Sequence, residues 1–229
     1  MSITSFDQVK MDRVKLECPV RPAALKPLKL GDLVFLDGVI FTGREALYQR
    51  VLAEGVAPPV PFRDVSNVNF HCSPAAIQRE DGSFVVSAVS ATASFRFGKW
   101  MKEWFAKSGV KVIIGKGGMK SRDYRETFVP NGAIYLTTVG YGLGATYGRG
   151  IVSVVAAHWL KELGVAQAMW VLKVKDFGPF IVESDLEGNS LFELSNREIN
   201  KNLADLYKGL PQPALGRFGE ITDRSDEVL

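Results

Sequence analysis

Leu33-Val34-Phe35-Leu36-Asp37-Gly38-Val39-Ile40-Phe41-Thr42-Gly43-Arg44 reads as two short apolar β-runs on either side of an Asp-Gly pair. Both positions of a two-residue hairpin turn favour positive φ, so Asp37-Gly38 predicts a hairpin between 33–36 and 39–41. Downstream, Leu47, Val51 and Leu52 share one face of a helix over 45–54, which Gly55 stops. Upstream, residues 1–30 are charged and then broken by Pro19, Pro22 and Pro27, as in an extended arm. Beyond a proline-rich loop over 56–63, Phe84 to Val89 reads as a buried strand. Phe97, Trp100, Met101, Trp104 and Phe105 then recur at i, i+3, i+4, i+7 and i+8, one face of a helix that Gly109 ends. Val110 to Ile114, Ala133 to Thr138 and Ala168 to Val174 read as strands, and Ile151 to Leu163 as a largely buried helix carrying His158. Ile199, Leu203, Leu206 and Tyr207 mark a last amphipathic helix before Gly209. A hairpin followed by alternating strands and helices predicts an α/β domain with a mixed sheet and flanking helices. The expected organisation is an arm at 1–30, one domain at 31–210 and a polar tail at 211–229.

Composition narrows the function. With 28 basic and 25 acidic residues the net charge is +3, too balanced for nucleic acid or an anionic membrane, which need clustered positive charge. The longest apolar stretch, 151–160, is too short for a membrane span, and the polar N-terminus is unlike a signal peptide, so a cytoplasmic protein is expected. The two cysteines, Cys18 and Cys72, lie far apart and read as reduced thiols. A disulfide framework, a structural zinc site and an iron–sulfur cluster each need more ligands than this chain offers. His71 and His158 are the only histidines, without the spacing of a zinc hydrolase, and His71, in a polar stretch before Pro74, is a candidate for lining a pocket.

Three cations stand just after strands: Arg44, Arg96 in Thr92-Ala93-Ser94-Phe95-Arg96, and Lys116 in Gly115-Lys116-Gly117-Gly118. In open α/β folds ligands gather at the carboxyl ends of strands, so these residues form a candidate anion clamp. Arginine's planar fork donates two parallel hydrogen bonds to a carboxylate and lysine adds a point charge. Glycines such as Gly115 let backbone N–H groups approach the ligand. The glycine cluster lacks the spacing of a nucleotide-phosphate loop.

Taken in order, these segments resemble a known family. Gly31 to Ala46 is similar to the opening of class I fumarase C-terminal domains and L-tartrate dehydratase β subunits, roughly GDxVxLxGxIxTGRDAAH. Thr92 to Arg96 resembles the family's TTSxRM signature, Gly115-Lys116-Gly117 its GKG, and 176–179 with 184–191 its closing strands. The resemblance implies a swivelling β/β/α domain that works with an α-type subunit. The partner would carry a 4Fe-4S cluster and this chain would ligate none. The reaction implied is reversible dehydration of a small 2-hydroxy dicarboxylic acid, fumarate/malate- or tartrate-like. On that pattern Arg44, Arg96 and Lys116 bind substrate carboxylates with Ser94 and Gly115 in support, and Thr92 belongs to the acid–base machinery. The assembly implied is a hetero-oligomer, with a homodimer left open for the isolated chain. The non-catalytic alternative is a dicarboxylate-binding module. The family's RDAAH becomes Arg44-Glu45-Ala46-Leu47-Tyr48, its second threonine is Ala93, and its RMD is Arg96-Phe97-Gly98.

Overall fold

The computed structural model describes residues 11–140, 142–206 and 208–209. Nine strands form among the described residues. They are β1 (Arg13–Cys18), β2 (Leu33–Thr42), β3 (Val68–Phe70), β4 (Cys72–Gln78), β5 (Phe84–Ala91), β6 (Val112–Gly115), β7 (Ile134–Thr138), β8 (Ile151–His158) and β9 (Met169–Ser184). Seven build one mixed sheet in the order β1-β2-β3-β6-β7-β9-β8, and β4 with β5 forms a separate antiparallel pair. Strands β1, β2, β3, β6 and β7 run parallel to one another. The long β9 runs antiparallel to β7, to β8 and also to β2, so β2-β3-β6-β7-β9 closes on itself. One apolar core, with Val34, Leu36, Ile40, Phe70, Ile114, Leu136, Phe177 and Phe180, packs one face of these strands. The other face lies under helices, where Phe41, Leu47, Tyr48, Phe97, Met101, Trp104 and Tyr135 meet. This is the α/β architecture with a mixed sheet and flanking helices that the element pattern predicts.

The hairpin at Asp37-Gly38 does not form; 33–42 is one continuous strand. Gly38 does have positive φ, at 112°, but long-range contacts impose it rather than a chain reversal. A Cβ at Gly38 would lie 2.2 Å from the Cys18 carbonyl oxygen of β1. Asp37 accepts the backbone N–H of Asp176 at 2.6 Å, where β9 itself bends through a positive φ. The pairing of β2 with β9 shifts register on either side of Leu36. The Asp-Gly pair is therefore a bulge that lets one strand serve two neighbours. The arm expectation covers Arg13–Cys18, which pairs with β2 in register Arg13↔Leu33 to Cys18↔Gly38; Tyr207 and the tail lie outside the described residues.

The helix expected at 151–163 is also corrected. Ile151–His158 is strand β8 at the sheet edge, followed by a short helix, Leu160–Leu163, that Gly164 closes. A ten-residue apolar run sits at the length where helix and strand patterns overlap. The β-branched Ile151, Val152, Val154 and Val155 tip it to strand. Phe84–Ala91 is a strand as expected, but of the run read as buried only Val89 is buried. The helix Gly98–Ser108 ends on left-handed Gly109, and Leu191–Leu206 forms the last helix with Ile199, Leu203 and Leu206 exposed. No helix among the described residues is long and apolar enough to cross a membrane.

Gly38→Ala combines a disfavoured φ with collision against a backbone carbonyl. It is expected to lower unfolding free energy by at least about 2 kcal/mol in urea denaturation. A midpoint equal to that of wild type would show that β1 and β2 are not so tightly apposed.

Candidate functional site

The carboxyl ends of parallel β2, β3 and β6 lie side by side, and the residues that leave them are stitched together by backbone hydrogen bonds. Gly43 N–H donates to Phe70 O at 3.0 Å, and His71 N–H to Ile114 O at 2.7 Å. Thr92, arriving from β5, donates its N–H to His71 O at 2.7 Å. Lys116 N–H then donates to Thr92 O at 3.2 Å, and Ser94 N–H to Lys116 O at 3.3 Å. This bridge of Ala93 with Lys116 brings the segment carrying Thr92, Ser94 and Arg96 alongside the Gly115-Lys116 turn.

Arg44 sits at the N-terminus of the helix Glu45–Tyr48 and donates from one terminal nitrogen to Ala166 O at 2.9 Å. Its Nε is buried without a hydrogen-bond partner in the structure. Burial pulls the guanidinium pKa down, the positive charge of Arg96 pulls it further, and Cys72 acts weakly the other way. Arg44 and Arg96, 52 positions apart in the chain by subtraction of their numbers, thus share one electrostatic field. Two like charges and an unpaired buried donor make a local excess that an anion relieves.

Beneath the cations runs a buried chain of neutral polar groups. Tyr48 Oη lies 2.8 Å from Asn69 Oδ1 and 2.7 Å from His71 Nε2, His71 Nδ1 lies 2.7 Å from Ser94 Oγ, and Tyr135 Oη lies 2.8 Å from Ser94 Oγ. The protons can be assigned. Asn69 Nδ2 donates to Phe41 O, so Asn69 Oδ1 must accept from Tyr48. Tyr48 Oη then accepts from His71 Nε2–H, Nδ1 accepts from the Ser94 hydroxyl, and Ser94 Oγ accepts from Tyr135. Every member is satisfied only with a neutral imidazole, and burial pushes the His71 pKa down to about 3. Gly115 closes over this chain, because a Cβ there would sit 1.9 Å from Ser94 Oγ and 2.7 Å from Tyr135 Oη.

Of the sequence-derived candidates, the structure groups Arg44 with Arg96, and Thr92, Ser94 and Gly115 with Lys116. Thr92 and Ser94 are buried, Arg96 and Phe95 exposed, Arg44 and Lys116 half-buried. The Ser94 hydroxyl is engaged within the buried chain. Tyr48, Asn69 and Tyr135 escaped the sequence reading; a lone polar residue inside an apolar strand, as in Val68-Asn69-Phe70, was the available signal. Thr137 and Thr138, at the carboxyl end of β7, were also missed, and their buried hydroxyls have no hydrogen-bond partner in the structure. His158 lies elsewhere, at the end of β8.

Cys18 and Cys72 are buried free thiols; burial raises Cys18 to about 12 and Cys72 well above its usual value. Thiolates are what ligate iron, so neither fits a cluster ligand. The described residues also contain no group of three His, Cys, Asp or Glu able to hold a metal ion.

Residues 2–195 match the family described as Fumarase C-terminus. The chain belongs to that family. It is 32% identical over 183 residues to a Methanocaldococcus jannaschii protein provisionally named L(+)-tartrate dehydratase subunit beta, covering 80% of this chain and 92% of that one. It is 29% identical over 178 residues to the Escherichia coli L(+)-tartrate dehydratase subunit beta, covering 77% of this chain and 85% of that one. A Geobacillus stearothermophilus protein, provisionally named fumarate hydratase class I, is 32% identical over 180 residues. There the match takes in 79% of this chain but 34% of the relative, about a third of its length. The family assignment thus agrees with the segments at Gly31–Ala46, Thr92–Arg96 and Gly115–Gly117 that suggested it.

The folded pKa of His71 lies below its usual 6.5, so its stabilising contribution is complete above about pH 6.5 and is lost as pH falls from there towards 3. Imidazole 15N spectra should report a single Nε2–H tautomer that does not titrate around neutrality. A midpoint near 6.5 would contradict the buried chain.

Proposed function

We propose that this chain is the β-type subunit of a hydro-lyase and supplies the carboxylate-binding half of its active site. The substrate would be a small 2-hydroxy dicarboxylic acid, fumarate/malate- or tartrate-like. The observation that carries this reading is the pairing of Arg44 with Arg96 beside an unpartnered Arg44 Nε, with the Lys116 turn bonded to Thr92. Dehydration of such an acid removes a proton from the carbon next to a carboxylate. Negative charge then builds on that carboxylate, and preorganised cations stabilise it more in the transition state than in the ground state. Arg44, Arg96 and Lys116 take that role, Lys116 as a point charge beside the arginine forks. In this reading Thr92 takes the acid–base role at carbon; its burial and the hydrogen bonds of both its backbone groups support a fixed position.

The family resemblance assigns the iron–sulfur cluster to an α-type partner, whose Lewis acidity would act on the leaving hydroxyl. No step on this chain's side runs through it, and its own thiols do not fit as ligands. The names of the Methanocaldococcus jannaschii and Escherichia coli relatives, each a subunit beta, support a partnership of this kind.

The test is reconstitution with a co-expressed α-type subunit. The pair should dehydrate a 2-hydroxy diacid and this chain alone should not. In the pair, Arg96→Ala should lose on the order of 2–5 kcal/mol of transition-state stabilisation, read from kcat/KM. Near-normal kcat/KM in that variant would remove Arg96 from the site. Dicarboxylate binding without turnover in the assembled pair would favour the non-catalytic module.

A further inference from the structure

Glu183, next to last in β9, is wholly buried on the helix-covered side of the sheet. Its carboxylate accepts the Tyr124 hydroxyl, the Ser190 hydroxyl at 2.5 Å and the backbone N–H of Phe192. Each hydroxyl oxygen is itself held from behind. Tyr124 Oη accepts Met119 N–H at 2.7 Å, and Ser190 Oγ accepts Glu193 N–H at 3.1 Å at the start of the last helix. Both relays therefore point their protons inward, the arrangement an acceptor-only, ionised carboxylate requires. One relay ends on the turn that begins Gly115-Lys116-Gly117-Gly118-Met119, and the other on the cap of Leu191–Leu206.

We infer that Glu183 is a positioning residue for the lysine turn: its ionised carboxylate, acting through Tyr124 on Met119 N–H, holds the backbone that aims Lys116. The inference rests on the reading of Lys116 as a carboxylate-binding group. Tyr124 donates to Oε2 and Ser190 to Oε1, so a proton on either oxygen of Glu183 would compete with a hydroxyl already donating to that oxygen. The titratable groups facing it are Tyr124 and Asp185, with Tyr135 behind Tyr124; Arg125 and Glu193 pair with each other at 3.6 Å near the helix start. Burial outweighs the three hydrogen bonds and pushes the carboxyl up to about 7. A folded pKa above the usual 4.5 means that the carboxyl's contribution to stability is present below about 4.5 and lost as pH rises to about 7. The fold is thus more stable with the acid form, while the geometry calls for the ionised form.

Backbone amide NMR of the full chain tests this directly. In wild type the amides of Gly117, Gly118 and Met119 should shift with a midpoint near pH 7, and Glu183→Gln should abolish that step. Tyr124→Phe keeps the ring and removes the relay, so Met119 N–H should lose hydrogen-exchange protection and its pH-dependent shift. Ser190→Ala breaks only the helix-cap relay and should leave the turn titrating. In the α-reconstituted enzyme, Glu183→Gln and Tyr124→Phe should each lower kcat/KM on the order of tenfold or more through misplacement of Lys116. Turn amides that ignore pH in wild type, or that still titrate near 7 in Glu183→Gln, would overturn the inference. A turn that titrates as stated in a chain with no dehydratase activity would instead remove the functional reading and leave the coupling of Glu183 to the turn intact.

Discussion

Two arginines from separate segments are held close enough that the charge of Arg96 disfavours that of half-buried Arg44. Like charges in a partly buried place separate unless the backbone prevents it. Here the backbone does prevent it. Arg44 is fixed at the end of β2, and Arg96 follows a segment bridged to the end of β6, which shares the sheet with β2 through the intervening β3. Side-chain contacts add a strut. Glu45, next to Arg44, accepts Trp100 Nε1 at 3.0 Å and pairs with Lys99 at 3.1 Å, both just beyond Arg96. The exposed Lys99 pair contributes little by itself. The indole bond fixes the spacing between the helix starts.

Neutrality below the cations belongs to the same logic. A charged imidazole at His71 would add a third positive group beneath Arg44 and Arg96 and would break the one-way run of protons from Tyr135 to Asn69. Complete burial removes that option. Three of the departures from the family pattern make contacts of their own. Tyr48 reaches His71 and Asn69, Glu45 ties the two helix starts, and Gly98 gives space to Asp123, whose carboxylate would meet a Cβ there at 2.9 Å.

Local chemistry was legible in the sequence and long-range chemistry was not. The helix Gly98–Ser108 could be read because its apolar face repeats within eleven residues and Gly109 supplies a left-handed stop. Asp37-Gly38 misled because a positive φ has two causes. A tight turn is visible locally, whereas the close approach of Cys18 and Asp176 is visible only once the sheet has formed. Ile151–His158 misled because it is an edge strand with exposed Val152 and Val155, which blurs the alternation of a half-buried strand. Arg44, Arg96 and Lys116 stand out in the sequence through their positions after strands. Tyr48, Asn69 and Tyr135 carry no such local mark, since they meet His71 and Ser94 only across segments far apart in the chain.

Side-chain 15N NMR of the arginine Nε–H groups during titration with a four-carbon dicarboxylate tests most directly whether these cations act as one receptor. A common receptor predicts that the Arg44 and Arg96 resonances move together along one saturating curve, with a monocarboxylate of similar size far weaker. Independent curves for the two, or an Arg44 Nε–H that stays still while the ligand saturates elsewhere, would contradict it.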